Sequence, residues 1–108
     1  MTYTKVIYKN RERDRRGQVK LFNDLPIDVQ QKFIGIKNYI NGYLNRTIEV
    51  YIYGSFYWGY WDEFSNYDVI VREDINTSEV SQLILSELGI DNNVIFNTEI
   101  NRATIQIP

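Results

Sequence analysis

Five apolar residues constrain this chain most. Val29, Phe33, Ile36, Ile40 and Leu44 follow one another at spacings of four, three, four and four. Side chains three and four apart share one face of an α-helix, so the spacing predicts a helix over about residues 27–45 with one continuous apolar stripe. Such a stripe has to be covered by another element. Thr47 to Tyr53 (TIEVYIY) is rich in β-branched and aromatic residues and reads as a strand. Tyr67 to Val71 (YDVIV) reads as a second strand, apolar almost throughout, as strands at the centre of a sheet are. A helix laid on a sheet is the expected core.

The remaining elements are shorter. Asn76 followed by Glu79 forms a capping box for a helix over about 77–88, with Val80, Leu83, Ile84 and Leu88 on its apolar face and Gly89 as its stop. Val94 to Thr98 and Ala103 to Ile107 read as two strands, expected to pair as a hairpin turning near Asn101. Near the N-terminus, Tyr3 to Lys9 and Gln18 to Phe22 are β-prone, and the charged run Asn10–Gly17 is their expected loop; a disordered basic arm is the alternative. The expected fold class is α/β (α+β): a small mixed β-sheet flanked by two main helices in residues 26–108, preceded by a basic extension over 1–25.

The 108 residues include no histidine and no cysteine. That removes imidazole bases, thiol nucleophiles, zinc fingers and disulfides. Carboxylates, hydroxyls, amides, cations and oxygen-held metals remain. Charge is unevenly spread: residues 1–20 carry seven bases and two acids, +5, and residues 21–108 carry five bases and twelve acids, −7. The acidic remainder argues against broad nucleic-acid contact. Alternation of Arg11, Arg13, Arg15 and Arg16 with Glu12 and Asp14 points to a solvated, self-paired loop. No apolar run approaches the roughly 18 residues of a membrane span, and no secretory signal is visible, so a cytoplasmic protein with no membrane partner is expected.

One window carries chemistry. Gly54-Ser55 ends a strand, nine residues follow with Gly59 fourth among them, and Ser65-Asn66-Tyr67-Asp68 opens the next strand. A Gly-Ser turn at a strand end directs backbone N–H groups and a hydroxyl at one spot, an arrangement suited to phosphate. Residues 66 and 68 are two apart on a strand and share a face, where acidic groups can hold Mg²⁺ beside bound phosphates. Gly54, Ser55, Gly59, Ser65, Asp68 and the apolar strand after it resemble the signature of the DNA polymerase β-type nucleotidyltransferase superfamily, especially its minimal domains. The resemblance covers roughly residues 27–100. It implies that Gly54, Ser55 and Ser65 hold NTP phosphates, that Asp68 and the residue at position 66 hold Mg, and that a third carboxylate follows on the strand after the second helix. Here position 66 is Asn66, which lacks the charge, and only Glu99 is available as the third carboxylate, so Asp68, Asn66 and Glu99 form the candidate catalytic set.

Nine of the sixteen aromatic residues fall within 51–67. Trp58 and Trp61 can stack on a base or anchor an interface, or fill the core. Tyr51, Tyr53 and Phe64 are expected in the core, and Asp62-Glu63 in a solvated loop. Two functions are open: a nucleotidyltransferase using Mg²⁺ and NTP on an unidentified acceptor or protein partner, or a catalytically inactive binding or assembly subunit, such as a homo-oligomer, using the aromatic patch.

Overall fold

The computed structural model describes residues 4–99 and 103–108. Strand β1 (Thr4–Tyr8) and β2 (Arg11–Arg15) form an antiparallel hairpin, followed by a 3₁₀ turn at Phe22–Asp24. Helix α1 (Ile27–Leu44), β3 (Val50–Ile52), the single turn α2 (Ser55–Trp58), β4 (Tyr67–Val71), α3 (Thr77–Leu88), β5 (Asn92–Phe96) and β6 (Ile105–Gln106) make up the rest. The main sheet has the order β5-β4-β3-β6, with β4 parallel to β5 and the other pairs antiparallel. The molecule is thus a mixed α/β fold with two main helices. No helix of the described residues is long and apolar enough to cross a membrane.

The stripe does what its spacing dictates. Val29, Phe33, Ile36 and Ile40 are buried on α1 and pack with Val80 and Ile84 of α3 over Val50, Ile52, Val69 and Val71 of the sheet. Helix α1 ends at Asn45 in the left-handed conformation, and α3 begins at Asn76, whose Oδ1 accepts the Glu79 N–H at 3.1 Å. Buried Asn92 donates to the carbonyls of Ser81 and Ile90 and accepts from the Ser81 hydroxyl, which ties β5 to α3.

Three expectations are corrected. The charged run is not a loop: Arg11–Arg15 is itself the second strand of the hairpin, the turn is Lys9-Asn10 with both residues at positive φ, and residues 18–22 form no strand. Two residues in that conformation make the turn that matches strand twist. Ile105–Gln106 does not pair with β5; it lies against β3 at the other edge of the sheet. The turn expected near Asn101 falls outside the described residues. Phe64, expected in the core, is 67% exposed, with the Arg11 guanidinium over its ring.

Candidate functional site

Strand alternation puts Tyr67, Val69 and Val71 against the helices and Asp68 and Ile70 on the opposite face. Register then assembles a polar row on that second face. Tyr53 donates its backbone N–H to the Asp68 carbonyl at 3.2 Å, and Asn93 is the β5 partner of Asp68. The flanking side chains meet across the strand between them, Asn93 Nδ2 donating to the Tyr53 hydroxyl at 3.1 Å. Asp68 is 5% exposed, and among the described residues nothing donates a hydrogen bond to its carboxylate. Burial raises its pKa to about 6, Lys9 pulls it back, and Asp91 pushes it further up. Burial, with Asp68 adding to it, also raises the Tyr53 hydroxyl to about 12.

Gly54 explains how this carboxylate is seated. Its backbone (φ 77°, ψ −144°) lies where only glycine is at ease, and a Cβ there would stand 2.5 Å from Asp68 Oδ2. Ser55, buried at the start of α2, lines the same small pocket as Asp68, Asn66 and Ser65, about 120 Å³ in volume. The structure therefore brings Gly54, Ser55, Ser65, Asn66 and Asp68 together. Their freedom differs. Asn66 is exposed. Ser65 is fully engaged, accepting from Arg13 Nη1 at 3.0 Å and the Asp62 N–H at 2.9 Å while donating to Asp62 Oδ1 at 3.0 Å.

Glu99 does not join the set. Strand β5 runs parallel to β4, so Phe96 already lies beside Val71, about 10 Å along the strand from Asp68, and exposed Glu99 follows after a bend. The carboxylate that acts on Asp68 is Asp91, at the start of β5, whose carbonyl accepts the Tyr67 N–H at 2.9 Å.

The remaining walls come from the N-terminal hairpin, which was not expected at the site. Lys9, Arg11 and Arg13 line the pocket with Ser55 and Asp68. Register places Arg11, Arg13, Val6 and Tyr8 on one face of the hairpin, and that face docks on residues 59–65. Arg13 is 3% exposed, donates to the Tyr60 carbonyl at 3.2 Å, and has its buried Nε 3.6 Å from Asp62 Oδ2 without a hydrogen bond. Arg11 holds Asp62 through two bonds of 2.9 Å. The run is therefore not a self-paired solvated loop: within it Asp14 lies 3.8 Å from Arg16, but Asp14 also pairs across the hairpin with Lys5, and Arg16 donates to the Trp61 carbonyl at 2.7 Å. Nor is Asp62 a solvated loop residue.

Arg11 is the main reason the Asp62 pKa falls to about 2; Ser65, the Phe64 N–H and Arg13 add to it against an opposing effect of burial. A lowered carboxyl pKa gives stability that is complete above the ordinary value near 3.8 and disappears as pH falls toward 2. Acidification between pH 4 and 2 is expected to release the hairpin, read as a change in Trp61 fluorescence. Asp62→Asn should lack that acid step, and an identical acid profile in the two proteins would refute the assignment.

The aromatics sort by contact. Trp61 stacks on Phe56 at 5.3 Å, carries the Arg16 guanidinium 4.1 Å above its ring, and lines a neighbouring cleft of about 370 Å³. Trp58 is 40% exposed and meets Tyr57 edge-on. Of the aromatic residues within 51–67, only Trp58 and Phe64 are exposed.

The donor set does not suit a pair of magnesium ions. Among the described residues no three of His, Cys, Asp or Glu converge, and the one buried carboxylate shares its pocket with three cationic side chains. Comparison with known proteins finds no matching family model, no matching curated sequence and no matching solved structure.

Proposed function

We propose that this chain is a nucleotidyltransferase-like domain that binds the phosphate groups of a nucleoside triphosphate at the Gly54-Ser55/Asp68 pocket and has lost nucleotidyl transfer. The observation that carries the reading is the seat of Asp68: its carboxylate is pressed against Gly54, beside the Ser55 hydroxyl, at the mouth of a cation-lined pocket. The β3-α2-β4 connection, with β4 parallel to β5, supports it by setting the Gly-Ser turn and the Asp68 strand side by side. Loss of transfer rests on Asn66 in place of a carboxylate and on the displacement of Glu99 from the site. Phosphoryl-type transfer depends on neutralising charge at the reacting phosphate, and two-metal chemistry needs more than one carboxylate.

Titration of ATP, GTP, CTP and UTP with Mg²⁺ is expected to give saturable binding of at least one nucleotide, with no pyrophosphate released. Failure of all four to bind would sink the phosphate reading. Pyrophosphate release by the wild type, lost in Asp68→Ala, would sink the loss of catalysis. Exposed Trp58 and Phe64 favour a second reading, an assembly subunit. It would gain ground if no nucleotide binds while Trp58→Ala abolishes self-association.

A further inference from the structure

We propose that the N-terminal hairpin supplies the charge a metal ion would otherwise provide, with Lys9 at its tip binding the ligand's phosphate over Ser55 and Asp68, so that phosphate anions bind without a divalent cation. This rests on the phosphate reading above and names how that site is charged. Four observations carry it.

First, the pocket holds Lys9, Arg11 and Arg13 against a single buried carboxylate. Even with Arg11 and Arg13 shared with Asp62, the cations outnumber the carboxylates around the pocket, which favours an anion over Mg²⁺. Second, the cations are not equivalent. Arg11 and Arg13 are committed to Asp62, Tyr60 and Ser65 and shape the field. Lys9, among the described residues, has no ion-pair partner and only its neighbour Tyr8 beneath it, 5.6 Å from the ring centroid. A compact ammonium on a flexible stem is a common phosphate binder. Third, the opposite wall offers an unspent donor. Ser55, 3% exposed as a residue, makes no side-chain hydrogen bond to the described residues, and its hydroxyl lines the pocket. A hydroxyl donor facing the cations is free to bond a phosphate oxygen, with the Asp68 carboxylate left to Lys9. Fourth, the tip is held in place. Lys9 and Asn10 form a two-residue turn at φ 50° and 65°, and buried Arg13, four positions on, anchors the hairpin to the 59–65 loop. A turn whose backbone is fixed before binding loses less entropy when the ligand arrives, and only the lysine stem remains to be ordered.

The test titrates ATP and inorganic tripolyphosphate into the full chain, once in EDTA and once in Mg²⁺, for the wild type, Lys9→Gln and Lys9→Arg. Both probes are expected to bind in EDTA within about threefold of their Mg²⁺ affinity. Lys9→Gln should weaken binding about tenfold or more, the scale of one charge-assisted hydrogen bond, and Lys9→Arg should keep most of it. Binding that needs Mg²⁺, or that Lys9→Gln leaves unchanged, overturns the proposal and leaves the phosphate reading standing. ATP binding without tripolyphosphate binding also overturns it, because the phosphates are then not what is recognised. No binding of either probe in either buffer overturns both readings.

Discussion

Replacing Gly59 by alanine is expected to unseat the N-terminal hairpin and to cost roughly 3 kcal/mol. Gly59 closes α2 at φ 82°, a left-handed conformation that costs a residue with a Cβ about 1–2 kcal/mol. The larger obstacle is contact. A Cβ there would stand 2.0 Å from the Gly17 carbonyl oxygen and 2.9 Å from its carbon, and backbone cannot rotate away as a side-chain tip can. The segment leaving β2 would have to lift. It is held there by the Arg16 N–H on the Gly59 carbonyl at 3.2 Å and the Val19 N–H on the Tyr57 carbonyl at 2.9 Å, bonds worth about 0.5–1.5 kcal/mol each. Hydrogen exchange at the Arg16 and Val19 amides should accelerate, and the urea midpoint should fall. Gly35→Ala is the matched control: inside α1, with nothing within 4 Å of its Cβ, it should raise stability by up to about 1 kcal/mol. Unchanged exchange at the two amides in Gly59→Ala would show that the hairpin is not docked there.

That dependence on one backbone contact explains why the hairpin was hard to read from sequence. Arg11, Arg13 and Arg15 alternate with Glu12 and Asp14 at a period of two, which is strand alternation. The pattern reads as a loop because charged residues are mostly solvated, and the face it buries is polar. Its partner is Asp62, some fifty residues away, and local rules do not reach that far. Helices α1 and α3 and strand β4 were legible because stripe, cap and composition are local properties that agree with the final packing.

The candidate site divides the same way. Gly54, Ser55 and Asp68 are legible from spacing. Asp91 is not, because choosing it over Glu99 requires knowing that β5 runs parallel to β4, with Asp68 beside Asn93. The same topology explains why the two last strands part company. Strand β5 follows α3 and pairs parallel with β4, as a helical crossover allows, and the β3 edge remains for β6.

The largest consequence of the site's design falls on stability. Asp68→Asn is expected to stabilise the folded chain at pH 7 by about 2–3 kcal/mol, an uncommon direction for a buried substitution. Burial raises the folded pKa of Asp68 to about 6 from an ordinary 3.8. Between those values the folded chain binds more protons at this group than the unfolded one, so the Asp68 contribution to wild-type stability is most favourable below pH 4. It falls as pH rises through 6 and is level beyond, a loss of about 3 kcal/mol at 1.36 kcal/mol per pKa unit. The groups around the carboxylate set that balance: Lys9 opposes it, Asp91 reinforces it, and Asn93 and Tyr53 bond to each other rather than to Asp68. Asparagine keeps the shape and removes the charge, so the variant should lack the pH slope. Urea denaturation of both proteins at pH 4 and pH 7 reads it directly: nearly equal stability at pH 4, and a more stable variant at pH 7. A variant less stable than wild type at pH 7, or a difference that does not change with pH, would mean that Asp68 has a partner in the folded state. A carboxylate kept at a cost to folding is the pattern that functional sites show, which is why the proposed phosphate pocket is centred on it.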